Sequence, residues 1–173
     1  MHMATSLENL IENYPDFPKK GINFKDITPI FRDPIIFKSL IKDMSASEIC
    51  NNAEALIAID ARGFLLGSAI SLNISKPLIL ARKPGKLPGE LISNSYDLEY
   101  GKNSLTIQKD ALKGYKKFAI IDDLLATGGT VHCVSELLKA ENKIVTGLCA
   151  IVELGFLNGR EKIKLPVDSQ IVY

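Results

Sequence analysis

The segment Phe118–Thr130, with the sequence FAIIDDLLATGGT, constrains the fold of this chain more than any other part. A short apolar run ends in two adjacent carboxylates, Asp122 and Asp123, and a loop of small residues follows at once. Apolar residues then recur at helical spacing from Val131 to Leu138, which predicts an amphipathic helix. The order of strand, acidic pair, glycine loop and helix predicts a unit that can hold a phosphate and a sugar side by side.

The residue types in this loop suit a phosphate. The backbone at Gly128 and Gly129 can turn tightly and approach a ligand because neither residue has a Cβ, and we expect Gly128 to leave its space to the phosphate. Threonine hydroxyls can donate hydrogen bonds, and the start of the next helix offers unpaired N–H groups with a partial positive charge. The predicted cradle is the run Ala126, Thr127, Gly128, Gly129 and Thr130.

The acidic pair needs a different partner. Carboxylates repel a phosphate, so Asp122 and Asp123 are expected to face hydroxyl groups. The 2′,3′-diol of a ribose fits this requirement, and it would lie beside the phosphate.

Strand and helix patterns alternate elsewhere in the chain. The continuous apolar run at Leu56–Ile59 is typical of a buried parallel strand. Further strands are predicted at Leu78–Ala81 and Ile144–Val152. A helical pattern at Phe64–Leu72 follows the first run. The fold class is therefore predicted to be α/β, with a mainly parallel twisted sheet flanked by helices.

The ends of these strands carry polar residues. Asp60, Arg82 and Asp122 each follow a predicted strand. Open α/β sheets bind ligands in the loops at the carboxyl ends of their strands. The loop Ala61–Gly63 also opens a helix, so it repeats the anion-binding geometry and adds the guanidinium of Arg62, which can grip a phosphate bidentately.

Three further segments stand outside this pattern. Leu7, Leu10, Ile11 and Tyr14 predict a short amphipathic helix that Pro15 closes. Residues 15–34 read as irregular, and Asp33–Pro34 then provides an N-cap and first position for a second helix. Residues 83–104 form a long polar excursion that we interpret as a mobile lid.

Composition narrows the class of protein. The chain has 173 residues, enough for a single domain, and a net charge of +1, which excludes a general binder of polyanions. Cys50, Cys133 and Cys149 are odd in number and lack metal-ligand spacing. Without a recognisable signal peptide or long apolar run, we interpret them as reduced thiols of a cytoplasmic protein.

The segment 118–130 resembles the 5-phosphoribosyl-1-pyrophosphate binding motif of the type I phosphoribosyltransferases. Nearly the whole chain is similar to the adenine-specific branch of that family. The similar segments are PDFPKKGINFKDITPIF (15–31), ARGFLLG (61–67), RKPGKLPGE (82–90), YDLEYG (96–101), IQKDAL (107–112) and VELGFLNGREK (152–162).

The resemblance implies an architecture and a reaction. It implies the type I phosphoribosyltransferase fold as a single domain of residues 1–173, with a small hood from about residues 1–35 and the C-terminal segment, and a lid at about 83–104. The implied reaction belongs to purine salvage and converts adenine and 5-phosphoribosyl-1-pyrophosphate to AMP and pyrophosphate. It also implies a homodimer, and Mg²⁺ that is carried by the pyrophosphate and not bound by protein ligands.

The resemblance also implies roles for particular residues. Pyrophosphate would be bound by Ala61, Arg62, Gly63, Arg82, Lys83 and Lys86. The basic residues between positions 82 and 86 would reach a neighbouring subunit's site. Adenine would be bound by Asn23, Phe24, Lys25 and Leu124, although arginine is common in the family at position 25. The catalytic residues would be Glu99, Arg62, Asp122 and Asp123, and Tyr100 would seal the lid. In the family a cis peptide often precedes the position of Ala61.

Three alternatives share parts of this pattern. A 6-oxopurine phosphoribosyltransferase has the same phosphate loop but generally uses a lysine on the strand after the loop helix, and Val145–Glu153 contains none. A noncatalytic ligand-sensing regulator usually adds a DNA-binding domain or a basic face. A noncatalytic nucleotide-binding module would not need a lid that carries Glu99.

Overall fold

The computed structural model describes residues 3–98 and 101–173. The chain divides into two compact units, Met1–Asp43 and Met44–Tyr173. The second unit contains the predicted βα units, and the first contains the segment expected to form most of the hood.

A parallel sheet forms the centre of the second unit. Its strands are β3 (Ala55–Ile59), β4 (Leu78–Ala81), β7 (Lys117–Ile121), β8 (Leu124–Leu125), β9 (Ile144–Glu153) and β10 (Val167–Val172). The order across the sheet is β10-β9-β7-β3-β4, and the short β8 pairs with β9 beyond the end of β7. Each of these pairings is parallel. The prediction of a mainly parallel sheet is therefore confirmed.

Helices flank this sheet and cover the apolar strands. They are α4 (Glu48–Asn52), α5 (Gly63–Ile74), α6 (Gly129–Ala140) and α7 (Gly159–Ile163). Every residue of β3 is buried, as is every residue of β7 after Lys117. Strands covered on both faces read as continuous apolar runs, which is why the sequence revealed them clearly.

The excursion after β4 contains two antiparallel strands. Its strands are β5 (Leu91–Leu98) and β6 (Gly101–Gln108), paired from Leu91 opposite Gln108. An isolated bridge between Arg82 and Thr106 joins the hairpin to the end of β4. Residues 99 and 100, where the resemblance puts Glu99 and Tyr100, lie outside the described residues.

The first unit corrects two expectations. It contains α1 (Met3–Leu10), β1 (Glu12–Pro15), β2 (Asn23–Asp26), α2 (Thr28–Arg32) and most of α3 (Pro34–Ser45). The prediction that helix α1 extends to Tyr14 is wrong, because Tyr14 lies in β1, opposite Phe24. The prediction that residues 15–34 are irregular is also wrong, because they contain β2 and α2. Backbone pairing with β2 overrides the helical spacing of the apolar residues here.

The start of α3 agrees with its predicted cap. The Asp33 Oδ1 atom accepts hydrogen bonds from the backbone N–H groups of Ile35 and Ile36, both at 3.0 Å. Pro34 occupies the first helical position, where its missing N–H costs no hydrogen bond. Among the described residues, no helix is both long and apolar enough to cross a membrane.

Candidate active site

A cavity of about 510 Å³ opens at the carboxyl ends of β3 and β7. Most of its wall comes from three segments that follow strands, which is where α/β sheets bind ligands. The lining residues are Ile59, Asp60, Ala61, Arg62, Lys83, Leu105, Asp122, Asp123, Leu124, Leu125, Ala126, Thr127, Gly128, Gly129, Thr130 and Val131. The structure thus brings both predicted anion loops and the acidic pair to one cavity.

The predicted phosphate loop leads directly into a twelve-residue helix. Helix α6 begins at Gly129, and Gly128 caps it with φ of 78°. The first backbone bond of the helix runs from the N–H of His132 to the carbonyl of Gly128, at 2.9 Å. The positive end of the helix dipole lies at this end of α6, and Gly129, Thr130 and Val131 of its first turn line the cavity.

The left-handed conformation at Gly128 agrees with its predicted need for glycine, but the space beside it does not serve the phosphate. A Cβ at Gly128 would lie 2.8 Å from the Gly159 carbonyl oxygen and 2.8 Å from Ile163 Cγ2. The expectation that Gly128 leaves room for the ligand is therefore wrong. The missing side chain lets α7 approach the back of the loop, while the backbone of Gly128 lines the cavity.

The acidic pair is almost fully buried, with Asp122 8% and Asp123 7% exposed. The Asp122 Oδ1 atom accepts a hydrogen bond of 2.9 Å from the backbone N–H of Asp123. Burial, followed by the neighbouring charge of Asp123, raises the pKa of Asp122 well above its usual range. Backbone bonds to β9 hold the pair in place, since the N–H of Asp122 donates to the Cys149 carbonyl at 3.1 Å.

The second anion loop meets the acidic pair through an ion pair. The Arg62 Nε atom lies 2.6 Å from Asp123 Oδ2. The Asp60–Ala61 peptide bond is cis, as the family resemblance suggested. Gly63 does not line the cavity. It allows close packing instead, because a Cβ there would lie 2.9 Å from the Ile121 carbonyl oxygen and 3.2 Å from Asp122 Oδ1.

The three basic residues after β4 that were predicted to bind pyrophosphate differ in their position relative to the cavity. Lys83 lines the cavity, whereas Arg82 and Lys86 do not. The Arg82 Nε atom donates to Asp60 Oδ2 at 3.0 Å, and its guanidinium lies 5.4 Å from the centre of the Phe64 ring. Lys86 is exposed. Arg82 is therefore engaged within its own chain.

The residues predicted to bind adenine are distributed between the two units. Leu124 lines the cavity, while Asn23, Phe24 and Lys25 lie on β2 in the first unit. The Phe24 ring packs edge-to-face on Phe17, with 5.3 Å between centroids. The Lys25 Nζ atom donates to Asn13 Oδ1 at 2.6 Å, across the β1–β2 pair.

Five residues of the cavity wall were not among the predicted site residues. Asp60 was noted only as a residue at a strand end, although its carboxylate both lines the cavity and holds Arg82. Its position directly before the Ala61–Gly63 loop was the signal that could have identified it. The other four carry no such signal, because apolar residues on buried strands and helices look alike in sequence; they are Ile59, Leu105, Leu125 and Val131. Among the described residues, no group of three or more His, Cys, Asp or Glu side chains is placed to hold a metal ion.

Related sequences and solved structures of similar fold carry the same family name. No model of a protein family matches the chain. Over 171 residues the chain is 61% identical to the adenine phosphoribosyltransferase of Prochlorococcus marinus (strain MIT 9515), covering 99% of this chain and 100% of that relative.

Two solved structures share the fold at substantial sequence identity. The crystal structure of adenine phosphoribosyltransferase from Thermoanaerobacter pseudethanolicus ATCC 33223 has a TM-score of 0.90 and 41% identity, covering 98% of this chain and 99% of that chain. The Saccharomyces cerevisiae enzyme, complexed with D-2,5-dideoxy-2,5-imino-altritol 1,6-bisphosphate and adenine, has a TM-score of 0.88 and 33% identity, covering 98% of both chains. With high identity to such a relative over its full length, this chain belongs to the adenine phosphoribosyltransferase family.

Proposed function

We propose that this chain transfers the 5-phosphoribosyl group of 5-phosphoribosyl-1-pyrophosphate to adenine, which yields AMP and pyrophosphate in purine salvage. One observation carries the proposal: the predicted phosphate loop, the acidic pair and residues of the predicted second anion loop line one cavity in a member of this family. The S. cerevisiae relative was crystallised with adenine and a bisphosphate, which supports the same choice of substrates.

The 5′-phosphate would be bound by the run from Ala126 to Thr130. Backbone N–H groups at the start of α6 would donate to its oxygens, and the positive end of the helix dipole would favour its charge. Thr127 is exposed at this loop and could add a hydroxyl donor. This cradle needs no lysine, because oriented backbone dipoles provide the positive potential.

The ribose would lie against Asp122 and Asp123. As pyrophosphate departs, the sugar carbon develops positive charge in an oxocarbenium-like state. Negative charge on this pair in the complex with the donor would stabilise the transition state more than the ground state, so the pair would raise kcat as well as orient the hydroxyls. The ion pair between Arg62 and Asp123 would have to rearrange when the donor binds, since both groups gain new partners.

The leaving pyrophosphate would be stabilised by the loop Ala61–Gly63 and by basic side chains. Arg62 and Lys83 line the cavity and can meet the negative charge that develops on departure. Mg²⁺ would enter with the donor, because diphosphate oxygens are the ligands it prefers, and when bound it would neutralise part of the leaving group's charge. The carboxylates of the cavity wall are compatible with such a substrate-borne ion.

Recognition of adenine and closure of the lid complete the proposal. Phe24 would stack on the base, the backbone around Asn23 and Lys25 would read its edge, and Leu124 would lie beneath it. Glu99 would manage a proton on an adenine ring nitrogen. Tyr100 would help exclude water, which would otherwise hydrolyse the activated sugar.

The assembly and compartment are also proposals. We infer a homodimer in which a basic residue after β4 reaches the pyrophosphate of the partner's site. Lys86 suits this role best of the three, because it is exposed and lies outside its own chain's cavity. The buried free thiols of Cys50, Cys133 and Cys149 suit the reducing cytoplasm.

The test of the proposed function is pyrophosphate release with four bases in turn: adenine, hypoxanthine, guanine and uracil. A site that bonds to an exocyclic amino group leaves buried partners unpaired when it receives a 6-oxopurine, and such mismatches cost about 10⁴ in kcat/KM. We expect adenine to lead by a margin of this order. Comparable kcat/KM for hypoxanthine would favour the 6-oxopurine alternative, and no turnover with any base would favour a noncatalytic sensor.

A further inference from the structure

The segment Glu153–Ile163 lies behind the phosphate loop and has no role in the reaction as proposed above. It contains most of VELGFLNGREK (152–162), a segment that resembles the family but whose residues have no role assigned above. Helix α7 starts at Gly159, and a Cβ there would overlap the Ala126 carbonyl oxygen and lie 3.0 Å from Leu125 Cδ1. The first turn of α7 therefore packs directly on the phosphate loop.

Gly128 makes the same contact from the other side. Its own missing Cβ leaves 2.8 Å to the Gly159 carbonyl oxygen. Two glycines thus face each other at the back of the loop, and neither position has room for a side chain. The position of α7 limits where the loop backbone can lie.

A buried carboxylate holds α7 in this position. The Arg160 Nε and Nη2 atoms donate to the two carboxylate oxygens of Glu153, each at 2.6 Å. Glu153 is 5% exposed, and its Oε2 atom also accepts a bond of 2.7 Å from Ser169 Oγ. A bidentate guanidinium–carboxylate pair fixes orientation as well as distance. The hydrogen bonds from Arg160, followed by the bond from Ser169, lower the pKa of Glu153 and so favour the ionised carboxylate.

The same glutamate is also connected to the loop through the backbone. Glu153 lies opposite Leu125 in the pairing of β8 with β9. The next residue, Leu154, donates its N–H to the Leu125 carbonyl at 2.9 Å. Glu153 therefore connects to the phosphate loop on two sides, through β8 at its entry and through Arg160 and Gly159 at its back.

We propose that Arg160, held by Glu153, is a positioning residue for the 5′-phosphate loop, and that Gly159 is the contact through which it acts. The ion pair keeps α7 against the loop, and the loop then presents its N–H groups in the geometry that a phosphate needs. An oriented array of donors binds more tightly than one that must be ordered at each encounter. This inference rests on the proposed function, since it assumes that the loop binds the 5′-phosphate.

The test compares two ligands that differ only in the 5′-phosphate. Calorimetry would measure the binding of AMP and of adenosine to wild type, Arg160→Lys, Arg160→Met and Glu153→Gln. A displaced loop should weaken AMP binding by about 10-fold or more, because small misplacements of binding groups have effects of this size. Adenosine binding should stay unchanged. Arg160→Lys keeps the charge but loses the bidentate geometry, so it should lie between wild type and Arg160→Met.

Kinetics provide a second readout. The KM for the phosphoribosyl donor should rise in these variants while the KM for adenine stays near the wild-type value. If Arg160 had a purely structural role, both KM values would rise alike. Lys76→Met is the matched control, because Lys76 Nζ bonds to the carbonyls of Cys50, Asn51 and Ala53, a structural cap away from the cavity. It should lower the melting temperature without changing the ratio of AMP to adenosine affinity.

The outcomes separate the two proposals. If wild type binds AMP no more tightly than adenosine, the assignment of the phosphate loop itself fails. If wild type discriminates and all folded variants keep the same ratio, the positioning role is overturned while the proposed function stands. Should Arg160→Met not fold, Arg160→Lys and Glu153→Gln decide the question in the same way.

Discussion

In the chain without substrate, Asp122 is a buried carboxyl whose environment favours the protonated form. Burial and the charge of Asp123 raise its pKa, so the folded chain holds this proton more tightly than the unfolded chain does. The stability that Asp122 contributes is therefore fully present below about pH 4 and is lost as pH rises through the raised pKa. Asp122→Asn should remove this loss, since an amide oxygen can still accept from the N–H of Asp123.

Thermal unfolding between pH 5 and pH 8 measures this effect. From pH 5 to pH 8 the melting temperature of Asp122→Asn should fall less than that of wild type. At pH 8 the variant's melting temperature should equal or exceed the wild-type melting temperature. Turnover should decrease by about 10²-fold, as expected when transition-state electrostatics are lost. Asp110→Asn is the control, because that exposed carboxylate pairs with Lys113 and its pKa is lowered. A steeper pH dependence in Asp122→Asn would contradict the argument.

A substitution at Lys25 tests the proposed recognition of adenine at the scale of a single residue. A guanidinium at this position could keep the bond to Asn13 and could also stack on a planar base, which an ammonium does less well. Lys25→Arg should therefore keep or lower the KM for adenine. Lys38→Arg, the same substitution on the exposed face of α3, should change nothing. A substantially higher KM for adenine in Lys25→Arg would remove position 25 from the base site.

At the scale of elements, the hairpin β5–β6 is expected to bring Glu99 to the base. Glu99→Gln keeps the size and hydrogen-bonding shape but removes the titratable group. If proton transfer matters, kcat should fall by about 10²-fold with the KM for adenine little changed. Glu90→Gln is a matched control on the same excursion, where Glu90 is exposed and pairs with Lys109. A kcat near wild type in Glu99→Gln would limit Glu99 to a polar contact of the lid.

At the scale of the whole molecule, the proposed dimer would share residues between sites. Sedimentation should give a mass twice the 19.0 kDa of one chain. Lys86→Ala and Asp122→Asn should each be poorly active alone, but their mixture should recover about a quarter of wild-type activity, because each mixed dimer of an isologous pair contains one intact site. No recovery after subunit exchange would mean that Lys86 serves its own chain or neither site.

The local sequence pattern was sufficient to predict the structure wherever a residue's environment depends on its near neighbours in the chain. The run 118–121 is buried on both faces, so its apolar character alone identified β7, and the glycines that follow predicted the turn into α6. The N-cap at Asp33 was equally visible, because a cap bonds only to residues two and three positions ahead. The two anion loops and the acidic pair could be predicted for the same reason.

Contacts between distant residues were decided only by the tertiary structure. Tyr14 continues the apolar spacing of a helix, yet it forms a strand because β2 offers backbone partners. Gly128 was expected to make room for a phosphate, whereas its space is taken by Gly159, which no local pattern connects to it. Arg62 and Asp123 were both predicted site residues, but their ion pair exists because two parallel strands place their ends side by side. Sequence determined which residues can bind an anion or a sugar, since that depends on side-chain chemistry and local backbone freedom. The fold decided which of them meet, since that depends on how strands far apart in the chain pair and how closely their loops pack.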